Sequence, residues 1–112
     1  MRRGTTPTNT FTLDIDLSAA TVFISYAQAN AVVVEKTGTD LTFTNNGGGD
    51  RDNPAEYYIS VTLSQEDTLK FIPGDVAIQI RYVTSDGVAD ASNIIRTTAE
   101  RILKDGEISY AV

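Results

Sequence analysis

Three segments of the chain alternate between large apolar residues and smaller or polar ones. They are Phe11–Leu17, Tyr57–Leu63 and Val76–Tyr82. A period of two places one face of a β-strand against a core and the other in water, so we predict these segments as strands. Three further strands are predicted from shorter β-branched and aromatic runs. They are Thr21–Ala27, Ala31–Lys36 and Leu41–Thr44.

Short segments rich in Gly, Asp and Asn separate most of these strands, as turns do. The one long loop runs over Asn45–Pro54 and contains three consecutive glycines. Ser64 followed by Asp67 has the spacing of a helix N-cap. We therefore predict one helical turn over Gln65–Lys70.

The segment after the last clear strand fits two structures. Apolar pairs recur every four residues between positions 94 and 103, as in an amphipathic helix. Alternate residues from Ile95 to Ala99 also fit a strand that follows an Asp-Gly turn. We predict a strand over Ser92–Glu100, with a helix over residues 92–103 as the alternative.

Together these elements predict an all-β fold: an antiparallel, immunoglobulin-like β-sandwich of about seven strands with one short helical turn. A small β-barrel is the alternative. The chain has 112 residues, which suits a single domain. We assign residues 10–112 to this domain. Residues 1–9 show no periodic apolar pattern and contain Pro7, which favours an extended backbone before it, so we predict an extended N-terminal arm.

Composition removes several kinds of chemistry. The chain has no Cys and no His, so it lacks the usual nucleophilic thiol, general base and transition-metal ligands. We expect a protein that is not an enzyme and binds no cofactor. The net charge is −6 and the basic residues are scattered, which argues against a nucleic-acid partner.

Hydropathy argues against a membrane protein. No apolar run approaches the roughly 20 residues of a membrane span. Arg2 and Arg3 are not followed by the apolar segment of a secretory signal, so we expect synthesis and retention in the cytoplasm of the producing cell.

One pair of carboxylates has a spacing used in glycoside hydrolysis. Asp14 and Asp16 lie two residues apart on a predicted strand, which puts both on one face at roughly 7 Å. Nothing nearby supplies an apolar pocket to raise one pKa. We therefore expect a solvated strand face, with a hydrolase as a third functional class.

The long loop offers weak candidates for a cation site. Asp50 and Asp52, with Asn53 and Glu56, could supply the oxygen ligands that Ca²⁺ accepts. Their spacing does not match the twelve-residue calcium loop. We therefore expect an ordinary surface loop and no metal.

Two features are candidates for contacts with another protein. Tyr57 and Tyr58 are adjacent on a strand, so only one ring can reach the core, and Tyr58 is the candidate for an exposed contact. The N-terminal arm could add its backbone to the sheet edge of a neighbouring subunit. Its candidate interface residues are Arg2, Arg3, Thr5, Thr6 and Pro7.

Four stretches carry a resemblance that covers nearly the whole chain. They are Met1–Thr8, Leu63–Phe71, Ile78–Arg81 and Ala91–Gly106. They resemble a group of short uncharacterised proteins encoded by tailed phages and prophages of Gram-positive gut bacteria, among virion structural genes. More distantly, the pattern is similar to the immunoglobulin-like N-terminal domain of phage baseplate upper proteins, which attaches receptor-binding parts to the tail.

The resemblance implies a non-enzymatic virion structural protein that acts as an assembly module of a tail, baseplate or capsid. Its partners would be other virion proteins and copies of itself, and it would be made in the bacterial cytoplasm. The alternative is an acidic phage-encoded inhibitor that binds a basic host protein, because acids outnumber bases in the middle third. Those acids are Asp40, Asp50, Asp52, Glu56, Glu66, Asp67 and Asp75.

Overall fold

The computed structural model describes residues 1–110 and contains two packed antiparallel β-sheets. These residues form eight strands, a 3₁₀ turn at Gly38–Asp40 and the helical turn α1 at Gln65–Leu69. The strands are β1 Thr8–Leu13, β2 Thr21–Gln28, β3 Ala31–Thr37, β4 Leu41–Asn45, β5 Tyr57–Thr62, β6 Gly74–Val83, β7 Ala89–Ala91 and β8 Ile95–Ala99. All seven predicted strands are present.

The strand order is that of an immunoglobulin-like β-sandwich. One sheet has the order β1-β5-β4, and the other has the order β3-β2-β6, with β7 and β8 both pairing with β6. This corresponds to strands B-E-D facing C′-C-F-G, without strand A. The prediction of a sandwich is confirmed, and neither sheet closes into the alternative barrel. Within residues 1–110, β1 pairs only with β5 and is therefore an edge strand.

The core lies between the inner faces of the two sheets. Alternate residues of the central strands are almost fully buried, among them Ile24, Ile59 and Val76. Tyr26 is also fully buried, and its hydroxyl accepts a hydrogen bond from Asn9 Nδ2 of the opposite sheet at 2.8 Å. Burial raises the pKa of Tyr26 although the Asn9 bond lowers it. A buried tyrosine hydroxyl needs such a partner, so Asn9 ties the sheets together.

The helical turn α1 carries the chain from one sheet to the other and confirms the predicted N-cap. The Asp67 amide donates to Ser64 Oγ at 3.0 Å, and the Ser64 amide donates to Asp67 Oδ2 at 2.9 Å. These reciprocal bonds satisfy two amides that the helix itself cannot pair. The helix ends at Leu69, and Lys70 is its C-cap.

The C-terminal strand is confirmed as a strand, although it is interrupted. Ser92 separates β7 from β8: its amide donates to the Ile80 carbonyl at 2.8 Å, and its Oγ accepts from the Ile80 amide at 3.0 Å. The Ser92 side chain thus accepts the hydrogen bond from the Ile80 amide that a backbone carbonyl accepts in a regular pair of strands. The predicted strand Ser92–Glu100 is therefore present as β8, which begins only at Ile95, and the short strand β7 precedes the predicted range.

The first strand is shifted relative to the prediction Phe11–Leu17. It begins at Thr8, paired with Thr62, and ends at Leu13, paired with Tyr57. Beyond Leu13 the partner strand β5 has no further residue. Asp16 Oδ1 instead accepts from the Ser18 amide at 2.9 Å, a local bond that competes with strand pairing.

Neither helical segment within residues 1–110 is long and apolar enough to cross a membrane.

Candidate interaction surface

The N-terminal segment lies against its own domain. The backbones of Arg2 and Glu100 form an isolated parallel β-bridge. The Arg3 amide donates to the Glu100 carbonyl at 3.1 Å, and the Glu100 amide donates to the Met1 carbonyl at 2.7 Å. Thr8 and Asn9 already belong to β1. The prediction of an extended arm over residues 1–9 is therefore corrected: residues 1–3 pair with the chain at the end of β8, and residues 5 and 7 bond to Thr68 and Leu63.

Arg3 anchors this segment to the end of α1. Its guanidinium donates to the carbonyls of Phe71 and Leu69, the latter at 3.1 Å, and pairs with Asp105 at 3.1 Å. The side chain is only 17% exposed. Arg3 therefore satisfies carbonyls that the helical turn leaves unpaired, a structural role within the chain.

The other candidates of this segment also contact their own domain. Thr5 accepts through its carbonyl from Thr68 Oγ1 at 2.8 Å, and Pro7 accepts from the Leu63 amide at 2.9 Å. Thr6 is exposed. A contact of these residues with another subunit stays a prediction. Fewer of their backbone groups are free to pair with a neighbouring sheet than in an extended arm.

The two carboxylates considered for hydrolysis do not share a strand. Asp14 and Asp16 are exposed and follow the end of β1. The backbone and side-chain hydrogen bonds of Ser18 lower the pKa of Asp16. The shared strand face on which the hydrolase hypothesis depends is therefore wrong, because β1 ends at Leu13.

The Asp50 carboxylate accepts hydrogen bonds from the backbone of its own loop. Asp50 Oδ1 accepts from the amides of Asp52 and Asn53 at 3.0 and 2.7 Å. Asp50 and Asp52 are exposed. Across the described part of the chain, no three or more carboxylates gather as a metal site would need.

Tyr58 lies on the outer face of the three-stranded sheet, half-buried, while Tyr57 lies on the inner side. The Tyr58 hydroxyl donates to Glu56 at 2.8 Å, and this bond raises the pKa of Tyr58. Every outward position of this sheet carries a hydroxyl, and cross-strand bonds such as Thr10–Ser60 at 3.0 Å join some of them. The outward residues are Thr8, Thr10, Thr12, Thr42, Thr44, Tyr58, Ser60 and Thr62.

The outer face of the five-stranded sheet carries polar residues such as Ser25 and Gln79, but it also exposes large apolar side chains, and we call it the apolar face. Phe23, Val32 and Val83 expose 38%, 57% and 43% of their surface. A shallow depression of about 340 Å³ lies between Phe23, Val83 and Ala89. The other apolar members are Ala27, Ala77 and Ala91.

The charges on the apolar face balance. Glu35 of β3 and Arg81 of β6 border the depression. Asp75 and Arg96 lie farther along the same face, as the pairing Asp75–Thr98 and Ala77–Arg96 shows. Two acids and two bases give a net charge of zero, while the chain carries −6. Within residues 1–110 none of these four forms an ion pair.

Sequence reasoning missed the apolar face, although a signal was present. The run Thr21–Tyr26 places Phe23 between the buried residues Val22 and Ile24. A strand with apolar residues at consecutive positions is apolar on both faces. Both faces of such a strand are buried by other parts of a protein, or one face leaves apolar side chains exposed to water.

Comparison with protein-family models, with curated proteins and with solved structures finds no match to this chain.

Proposed function

We propose that this chain is a non-enzymatic virion structural protein, an assembly module of a phage tail, baseplate or capsid that acts through subunit–subunit contacts. The observation that carries the contact surface is the apolar face. The virion setting comes from the resemblance of the sequence to short phage proteins.

The apolar face is unusual for the outside of an antiparallel sheet. Such sheets commonly bury one face and solvate the other with polar residues. The three-stranded sheet follows this rule with its hydroxyl-bearing outer face, whereas the five-stranded sheet exposes Phe23, Val32 and Val83. Phe23, Val83 and Ala89 form an exposed apolar cluster at one end of this face. Exposed apolar surface of this kind is typical of an interaction site, so this face is the surface through which the module would assemble.

The alternative inhibitor would need a free acidic surface. One of its seven acids, Asp67, is held in an ion pair with Lys36 at 2.7 Å, and the side chain is only 11% exposed. That carboxylate is engaged inside the domain. The experiment below distinguishes an inhibitor from a virion protein.

The first experiment is quantitative mass spectrometry of purified particles from a strain that carries the gene. We expect a fixed number of copies of this chain relative to the major capsid protein. The chain present in the lysate and absent from particles would refute the proposal and favour the inhibitor.

A pair of variants tests the surface. Phe23→Asp places a charge on the apolar face, and Thr42→Asp places one on the outer face of the other sheet. We expect Phe23→Asp to reduce incorporation into particles and Thr42→Asp to leave it unchanged. Circular dichroism melting of both purified variants checks that each is folded. Equal incorporation of two folded variants would show that the apolar face is not the contact surface.

A further inference from the structure

We infer that the apolar face binds the same face of a second copy of this chain about a two-fold axis. This inference rests on the proposed function, since it names the partner of the same surface. Two observations carry it: the placement of Glu35 and Arg81, and the neutrality of the face.

The placement of the two central charges is self-complementary. Glu35 lies beside Ser25 on one side of β2, and Arg81 lies beside Phe23 on the other side. From the strand spacing and rise, the two residues are roughly 12 Å apart, with their midpoint over β2 at Ile24. The acid and the base thus lie on opposite sides of the central strand β2.

A two-fold axis in the plane of the interface follows from this arrangement. If the axis passes over Ile24 at right angles to the line from Glu35 to Arg81, it brings each carboxylate over the guanidinium of the other copy. An isologous interface requires this reciprocity: residue i contacts j, and j contacts i. The Phe23 side chains of both copies then lie beside the axis, where they pack against each other.

Charge also favours a second copy over a different acidic or basic partner. Two chains of net charge −6 repel each other as whole molecules. Association is least opposed where the local surface is neutral, and the two acids and two bases of the apolar face make it so. A basic partner would find stronger attraction elsewhere on the chain.

The size of the face predicts a reversible dimer. Four strands about 4.8 Å apart and eight residues long cover roughly 500 Å² per copy. A standard stable interface buries about 800 Å² per partner. We therefore expect a monomer–dimer equilibrium that depends on protein concentration.

The test is sedimentation equilibrium of the purified full chain over a range of concentrations. We expect a monomer–dimer equilibrium for the unaltered chain. Glu35→Arg and Arg81→Glu each place like charges opposite each other twice in the dimer, so each weakens the dimer by about tenfold or more. The double variant Glu35→Arg/Arg81→Glu restores opposite charges and returns the dissociation constant to within about threefold.

Two further samples make the test specific. An equimolar mixture of the two single variants forms a heterodimer, because all its facing charges are then opposite. Glu66→Arg makes the same change of charge on α1, away from the face, and leaves the dimer intact. Circular dichroism melting confirms that each variant folds.

The outcomes separate this inference from the proposed function. A monomer at all concentrations, or single variants that dimerise like Glu66→Arg, would overturn the inference. If such a monomer is still found in particles at fixed stoichiometry, the proposed function stands and another virion protein covers the face. If the charge pattern controls dimerisation but particles lack the chain, the inference holds and the proposed function fails.

Discussion

The ion pair between Lys36 and Asp67 is the interaction whose removal we expect to cost the most among the charged contacts. Lys36 lies on the inner side of β3 and its Nζ is 2.7 Å from Asp67 Oδ2, with side-chain exposures of 18% and 11%. The same carboxylate oxygen accepts from the Ser64 amide. The pair therefore joins the edge of the five-stranded sheet to the start of α1.

The substitution Lys36→Met keeps the apolar stem and removes the ammonium. It leaves the Asp67 carboxylate largely buried without its cation. Breaking a fully buried pair in this way costs about 3 to 5 kcal/mol. Because water still reaches both groups, we expect a loss of about 2 to 4 kcal/mol in the free energy of unfolding.

The measurement is urea unfolding followed by far-UV circular dichroism at neutral pH, with the slope m compared between variants. Arg2→Met is the matched control, since the Arg2–Glu100 pair at 3.4 Å is 65% and 50% exposed. We expect that control to cost less than about 1 kcal/mol. A double variant Lys36→Met/Asp67→Asn should lose less than the two single losses added, by about 1 to 3 kcal/mol. Equal losses for Lys36→Met and Arg2→Met, or additive losses in the double variant, would refute the reasoning.

Three more predictions concern other parts of the fold. Burial raises the pKa of Asp67, but the bonds from Lys36 and Ser64 lower it by more, so the net pKa is below its ordinary value. The Asp67 carboxylate therefore stabilises the fold above about pH 4, and this contribution is lost as the pH falls through the lowered pKa. In urea unfolding followed by circular dichroism at decreasing pH, the difference in the free energy of unfolding between the unaltered chain and Asp67→Asn should become smaller. Arg3→Ala should cost about 2 to 3 kcal/mol, because two carbonyls lose a charged donor, and urea unfolding would contradict this if the midpoint did not move. Ile24→Ala, at a fully buried position, should cost about 2 to 5 kcal/mol, whereas Ile94→Ala, at a position 55% exposed, should stay near the unaltered chain in thermal melts.

The sequence alone determined the elements whose signals are local. Apolar alternation located β5 and β6, because side-chain direction in a strand reverses at every residue whatever the strand pairs with. The Ser64–Asp67 spacing located the start of α1, because a capping box closes within four residues. Together with chain length and the turn signals, these elements were enough to predict the sandwich.

Tertiary structure decided the features that depend on what lies opposite. β1 ends at Leu13 because this residue pairs with Tyr57, the first residue of β5. The N-terminal segment packs on the domain because Arg3 donates to carbonyls 66 and 68 residues away. The apolar face likewise appeared only once β2 and β6 were paired, since the register sets Phe23 beside Arg81 and Ser25 beside Glu35. The sequence contained each of these residues, but only the pairing of distant strands brings them onto one surface.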